Sequence, residues 1–224
     1  MFNMYYIKRQ VNILKGDMIL DTIKLDQLRR KSNVLVIDDD EFIPLEGLKN
    51  HGYYIQQKND IQNLKDVEPY DIILCDIRGV GKFLKSAYEG AYLAKQIKET
   101  YPSKIVLVYT ADNYKADFEK YLKYADGIIS KGMDIEDWSS ILDANLRDSV
   151  NPVVQWEKVR DALLKAGVTT IEVAQLEDKY VKSIQDKNFS TLKSMSEKEQ
   201  SVIAKIMKSL IESIIVKVIT GGLV

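Results

Sequence analysis

Tyr70-Asp71-Ile72-Ile73-Leu74-Cys75-Asp76-Ile77-Arg78 is the stretch on which the reading of the chain turns. Its apolar run Ile72–Cys75, bounded by acids, is too short for a buried helix and suits a strand covered on both faces of a parallel sheet. Such a strand carries Asp76 to its carboxyl end, where ligands bind in open α/β sheets. Three other apolar runs end in the same way: Val34–Ile37 before Asp38-Asp39-Asp40, Ile105–Tyr109 before Thr110, and Gly127–Ser130 before Lys131. Side by side, these strands bring acids, a hydroxyl and an ammonium to one edge.

Helical segments alternate with the strands. Residues 42–50 read as a helix, with Gly52 where a left-handed turn ends it and His51 favouring the helix dipole. A lone histidine without partners does not predict a metal ligand. Residues 53–56 read as a polar edge strand and 61–67 as a short helix. Residues 87–100 form a helix whose apolar face is Ala91, Leu93, Ala94 and Ile97, closed by Pro102. Further helices are expected over 114–124 and 135–146. Five strand–helix units predict an α/β fold, a doubly wound parallel sheet with right-handed crossovers.

The flanks differ. Residues 1–31 are an accessory segment, with residues 5–13 as a possible strand and Lys15-Gly16-Asp17 as a turn. Alternatively, Asp17 caps a helix through Leu20, Ile23 and Leu28 to the basic end Arg29-Arg30-Lys31. Residues 32–149 are the α/β domain. Residues 150–224 are an all-helical appendage. Asn151-Pro152 starts its first helix and Gly167 stops it. Thr169 and Glu172 have capping-box spacing for the second, and Ser196-Glu197-Lys198-Glu199 opens the third, which ends near Gly221-Gly222.

Composition narrows the classes. Hydrophobic content of 46% and charged content of 29% describe an ordinary globular chain. A formal net charge of -1 gives no global reason for nucleic-acid binding. The single cysteine, Cys75, excludes an internal disulfide and reads as a small buried residue. No secretory signal is evident, and no stretch approaches ~20 uninterrupted apolar residues, so a cytoplasmic protein without a membrane span is expected.

At Asp38-Asp39, Asp76, Thr110 and Lys131 the sequence resembles the receiver domain of two-component response regulators, over residues 33–149. The resemblance implies the flavodoxin-like strand order 2-1-3-4-5 and a switch rather than an enzyme. Asp76 would take a phosphoryl group from a histidine kinase or phosphotransfer protein. Asp38 and Asp39, with Asp76 and the backbone carbonyl of Arg78, would hold Mg²⁺, a hard ion suited to oxygen ligands. Lys131 and the ion would neutralise phosphoryl charge, and Thr110 would donate its hydroxyl once Asp76 is modified. Asp40 extends the acidic run without an implied role.

The chain departs from that family. Ile128 stands at the usual aromatic switch position three residues before the lysine, and Gly132 replaces the proline after it. The Met-Pro beyond the acceptor is missing, and the loop from Ile77 to Glu89 is longer than usual. Arg78 either points its guanidinium at the site or is a surface residue. Gly79-Val80-Gly81-Lys82 lacks the spacing and the Ser/Thr of a phosphate-binding loop, and reads instead as a partner surface. Asp38-Asp39-Asp40 also contains the Asp-x-Asp of haloacid-dehalogenase-type phosphatases, but no late acidic motif follows a further strand.

Residues 195–204 resemble the opening of a DNA-binding helix-turn-helix, yet too few residues follow and the region is not basic, so no nucleic-acid partner is expected. Ile203, Ile206, Met207, Leu210, Ile214, Ile215 and Val218 make a wide apolar face for neighbouring helices or a second copy of the chain. Two functions fit these residues. One is a phosphorylation-controlled switch that signals through the helical tail as a homodimer, by its C-terminal helices or its receiver face. The other is a scaffolding module that retains the site without phosphorylation.

Overall fold

A computed structural model of the chain describes residues 11–14, 23–111, 116–198 and 201–220. The described residues form two compact units. Residues 25–100 and 104–146 make the first, and those of 1–24, 101–103 and 147–224 make the second.

The first unit is a five-stranded parallel sheet of β1 (Asn33–Ile37), β2 (Tyr54–Lys58), β3 (Ile72–Asp76), β4 (Ile105–Thr110) and β5 (Gly127–Ser130), in the order 2-1-3-4-5. β3 is buried at every position, as the unbroken apolar run requires. β2 alternates exposed and buried residues at its start and lies at an edge, as its polarity predicts. Around the sheet run α1 (Leu25–Lys31), α2 (Leu45–Asn50), α3 (Glu89–Thr100), α4 (Glu119–Leu122) and α5 (Ile135–Ser149).

Several boundaries move for local reasons. The helix expected from residue 42 begins at Leu45, because Pro44 disfavours helical backbone at Ile43. Residues 61–67 give only a 3₁₀ turn, Leu64–Val67, closed by a capping box between Asn63 and Asp66. Of the helix expected over 114–124, residues 112–115 lie outside the described residues. Ala116–Phe118 form a 3₁₀ turn, and α4 follows. The basic end of α1 is tied to α5: Arg29 Nε donates to Asp143 Oδ1 at 2.8 Å.

The second unit contains α6 (Pro152–Lys165), α7 (Thr170–Gln185), α8 (Ser190–Lys198), α9 (Val202–Ile211) and α10 (Ile214–Ile219). Asn151 caps α6 through its side chain, Gly167 follows that helix at φ +84°, and the Thr169–Glu172 box opens α7. The third helix is a correction. Ser196 sits in the last turn of α8, and Ser201, accepting from Ala204 N, caps a separate helix. The apolar periodicity runs across the break between α9 and α10, so the pattern alone reads as one helix there, whereas residues 196–201 carry no apolar side chain. Ile206, Met207, Leu210 and Ile215 from that face are buried in this unit's own core with Trp156 and Tyr180.

Glu177 is 1% exposed within that core and accepts from Trp156 Nε1 (2.8 Å) and from Val11 N (3.0 Å). It thereby ties the N-terminal residues 11–14 to α7. Asn12–Leu14 form a 3₁₀ turn, not the strand considered for residues 5–13. Residues 5–10, Lys15-Gly16-Asp17, Leu20 and Gly221-Gly222 lie outside the described residues. No helix among the described residues is long and apolar enough to cross a membrane.

Candidate functional site

The carboxyl ends of β1, β3, β4 and β5 set the geometry. Asp38, just past β1, is 2% exposed and uses both carboxylate oxygens. Oδ1 accepts from Asp40 N (3.0 Å), and Oδ2 accepts from the Tyr109 hydroxyl (2.7 Å) and Lys131 Nζ (3.1 Å). Asp76, the last residue of β3, accepts from Ile77 N at Oδ1 (2.7 Å) and from Lys131 Nζ at Oδ2 (2.9 Å). One ammonium therefore bridges two buried carboxylates.

The other expected residues gather around this core. The Thr110 carbonyl accepts from Lys131 N (2.9 Å), so the ends of β4 and β5 are joined beside the bridge. Asp39 is exposed and pairs with Lys82 Nζ at 3.4 Å. It lies against Gly79, where a Cβ would meet Asp39 Oδ1 at 2.0 Å; Gly79 also has φ +72°. Only glycine fits that approach. The Arg78 side chain is exposed, in keeping with the surface reading. The peptide from Lys131 to Gly132 is trans. Ile128 is 47% exposed, and Cys75 is fully buried.

Two residues carry more of the site than the sequence reading gave them. Tyr109 reads as an interior strand residue, yet its buried hydroxyl needs an acceptor and finds Asp38. Asp60 pins the long loop, accepting from Gly81 N (2.7 Å) and Lys82 N (3.1 Å). Val80 is fully buried, so the loop is partly core and not solely an outer surface.

Electrostatics follow from burial. The Asp76 carboxyl is pushed above its ordinary range by burial and by Asp38, against the opposing pull of Lys131 and the Ile77 N–H. Burial pulls Lys131 down, but its bonds to Asp76 and Asp38 outweigh that and its net shift is upward. Burial and the bond to Asp38 hold the Tyr109 hydroxyl far above the range in which it would ionise.

A raised carboxyl pKa means that the folded state binds the Asp76 proton more tightly than the unfolded chain does. That contribution is complete below the usual carboxylate range and is lost as pH rises through the raised value. Asp76→Asn should therefore melt at a higher temperature than the wild type near neutral pH, with the gap closing as pH falls below the usual carboxylate range. Thermal scans at several pH values check this.

The donor set suits a hard cation. Carboxylate oxygens of Asp38, Asp39 and Asp40 all lie within 4.8 Å of one another. Among the described residues, four carboxylates, Asp38, Asp39, Asp40 and Asp76, are met here by two ammonium groups, Lys82 and Lys131. The excess of negative charge is what a divalent ion would offset. Asp40, given no role from the sequence, belongs to this cluster, whereas Asp76 joins it through Lys131.

A parallel sheet ordered 2-1-3-4-5 has the doubly wound, flavodoxin-like strand order that CheY also shows. Solved structures similar to this chain include response regulators and receiver domains. One from Burkholderia pseudomallei, described with a phosphorylated aspartic acid, a calcium ion and citrate, is 22% identical. That match covers 64% of this chain and 89% of the other, with a TM-score of 0.41. A CheY-like receiver from Methanospirillum hungatei is 20% identical over 51% of this chain and 93% of its own, with a TM-score of 0.43. A Thermotoga maritima response regulator is 19% identical over 52% and 98%, with a TM-score of 0.43. No protein-family model and no curated protein matches the chain.

Proposed function

We propose that the chain is a phosphoacceptor switch of the two-component type, modified on Asp76 by a histidine kinase or phosphotransfer protein. The observation that carries this reading is the Lys131 bridge, with Nζ at 2.9 Å from Asp76 Oδ2 and 3.1 Å from Asp38 Oδ2. In the transfer, an Asp76 carboxylate oxygen forms a bond to phosphorus as the phosphorus–leaving-group bond breaks. The donor leaves with that electron pair, as acetate when acetyl phosphate is used. Lys131 sits where it can follow the charge from the carboxylate to the phosphoryl oxygens. The Thr110 hydroxyl is the donor at the neighbouring strand end.

Asp38 and Asp39, with Asp76 and the Arg78 carbonyl, would hold Mg²⁺, and Asp40 stands close enough to join them. Bound there, the ion supplies Lewis-acid neutralisation of the phosphoryl group. The chain acts as the substrate of a phosphoryl transfer and not as a turning-over enzyme, in the cytoplasm. Its helical unit is the output element, working by self-association or through a protein partner.

Calorimetry with Mg²⁺ and beryllofluoride, a mimic of the phosphoryl group, tests the reading. Saturable one-to-one binding by the wild type, lost in Asp76→Ala, is expected. If the wild type does not bind, a scaffold that never uses the site is the better description.

A further inference from the structure

We infer that Tyr109 is a positioning residue that passes the state of the acidic edge to helix α5 through Trp138. The inference rests on the phosphoacceptor reading of Asp76 and supplies the internal relay that Ile128 cannot. Ile128 is exposed and has no ring to move, so the signal needs another aromatic path.

Tyr109 has the required contacts at both ends. Its hydroxyl donates to Asp38 Oδ2 at 2.7 Å, the oxygen that also accepts from Lys131 Nζ. That same ammonium stands 5.1 Å from the centre of the Tyr109 ring. The ring is fully buried and meets Phe42 edge-on at 5.5 Å and Trp138 at 5.8 Å, while Phe42 and Trp138 meet at 5.2 Å. Three rings thus interlock between the acidic edge and the first turn of α5.

The coupling follows from shared hydrogen bonding. Lys131 divides its donors between Asp76 and Asp38. A phosphoryl group on Asp76 offers it better-charged acceptors, so its hold on Asp38 Oδ2 weakens and the Tyr109 hydroxyl becomes the main donor there. The ring must follow its hydroxyl. In a closely packed interior a ring cannot shift without moving Phe42 and Trp138. Trp138 is poised for a second arrangement: its indole N–H is buried and has no hydrogen-bond partner among the described residues.

The chain has two tryptophans, so the full chain labelled with 5-fluorotryptophan gives one fluorine resonance for Trp138 and one for Trp156. Trp156→Phe or Trp138→Phe assigns them. Mg²⁺ and beryllofluoride are added to saturation, and the beryllium-bound fluorines report binding in the same spectrum. The expected result is a displacement of the Trp138 resonance by more than its linewidth, with the Trp156 resonance unmoved. Tyr109→Phe, compared at saturation so that weaker binding does not enter, should lose most of that displacement. Phe42→Leu should do the same.

A Trp138 resonance that stays still while the ligand is bound overturns the relay and leaves the reading of Asp76 intact. So does a Tyr109→Phe variant that responds as the wild type does. Absence of bound fluorine in the wild type overturns both.

Discussion

Replacing Gly90 with alanine will unfold the α/β unit. A Cβ on Gly90 would lie 1.8 Å from the Asp76 carbonyl oxygen and 2.9 Å from its carbonyl carbon, and both are backbone atoms at the tip of β3. Neither partner can turn aside as a flexible side chain would, so α3 or the strand end must move. The expected loss exceeds about 4 kcal/mol, within the range of a whole domain's stability. Gly132→Ala is the control, since its Cβ would meet only Ser130 Oγ, at 3.9 Å. That change should cost under about 0.5 kcal/mol. Urea titrations followed by circular dichroism decide the matter. A Gly90→Ala protein within about 1 kcal/mol of the wild type would refute the packing described between α3 and β3.

Removing the Lys131 ammonium should have the largest effect on chemistry. Lys131→Ala strips the shared ammonium from Asp76 Oδ2 and Asp38 Oδ2, leaving two buried carboxylates facing each other. Among the described residues, only the Tyr109 hydroxyl still donates to Asp38 Oδ2. Loss of one preorganised donor to developing charge costs roughly 10²–10³ in rate. The initial rate of modification by acetyl phosphate with Mg²⁺ should fall by about that factor. Lys131 also pulls the Asp76 carboxyl down, so the variant's pH profile should move to higher pH. Lys131→Arg should restore only part of the rate, because a planar guanidinium does not replace a compact ammonium. An unchanged rate in Lys131→Ala would show that Asp76, if modified at all, is modified without this bridge.

The sheet was legible because its central strands are apolar at consecutive positions, a pattern that both-face burial imposes and a helix of that length does not. Asp38, Asp76, Thr110 and Lys131 were legible as candidates because they stand one step past those runs. Tyr109 was hidden by the same logic, since it completes an apolar run and its hydroxyl has no sequence neighbour to reveal its use. A tyrosine at the interior end of a strand, opposite an acid, is the signal that could have exposed it. Asp60 was hidden because its partners are backbone N–H groups of a distant loop. The break after α9 was missed because buried residues, Leu210, Ile214 and Ile215, continue at helical spacing across it. The start at Ser201 was missed because Ser196-Glu197-Lys198-Glu199 offers capping-box spacing a few residues earlier, while the side-chain cap is made by Ser201. Periodicity measures which face is buried, not whether one helix supplies it.

The central claim is that Asp76 accepts a phosphoryl group. Incubating the full chain with acetyl phosphate and Mg²⁺, then locating the modification by tandem mass spectrometry, tests it most directly. One phosphoryl group on Asp76, removed by hydroxylamine as an acyl phosphate must be, is the predicted result. An unmodified chain, or a phosphoryl group carried on a serine, a threonine or His51 instead, would contradict it.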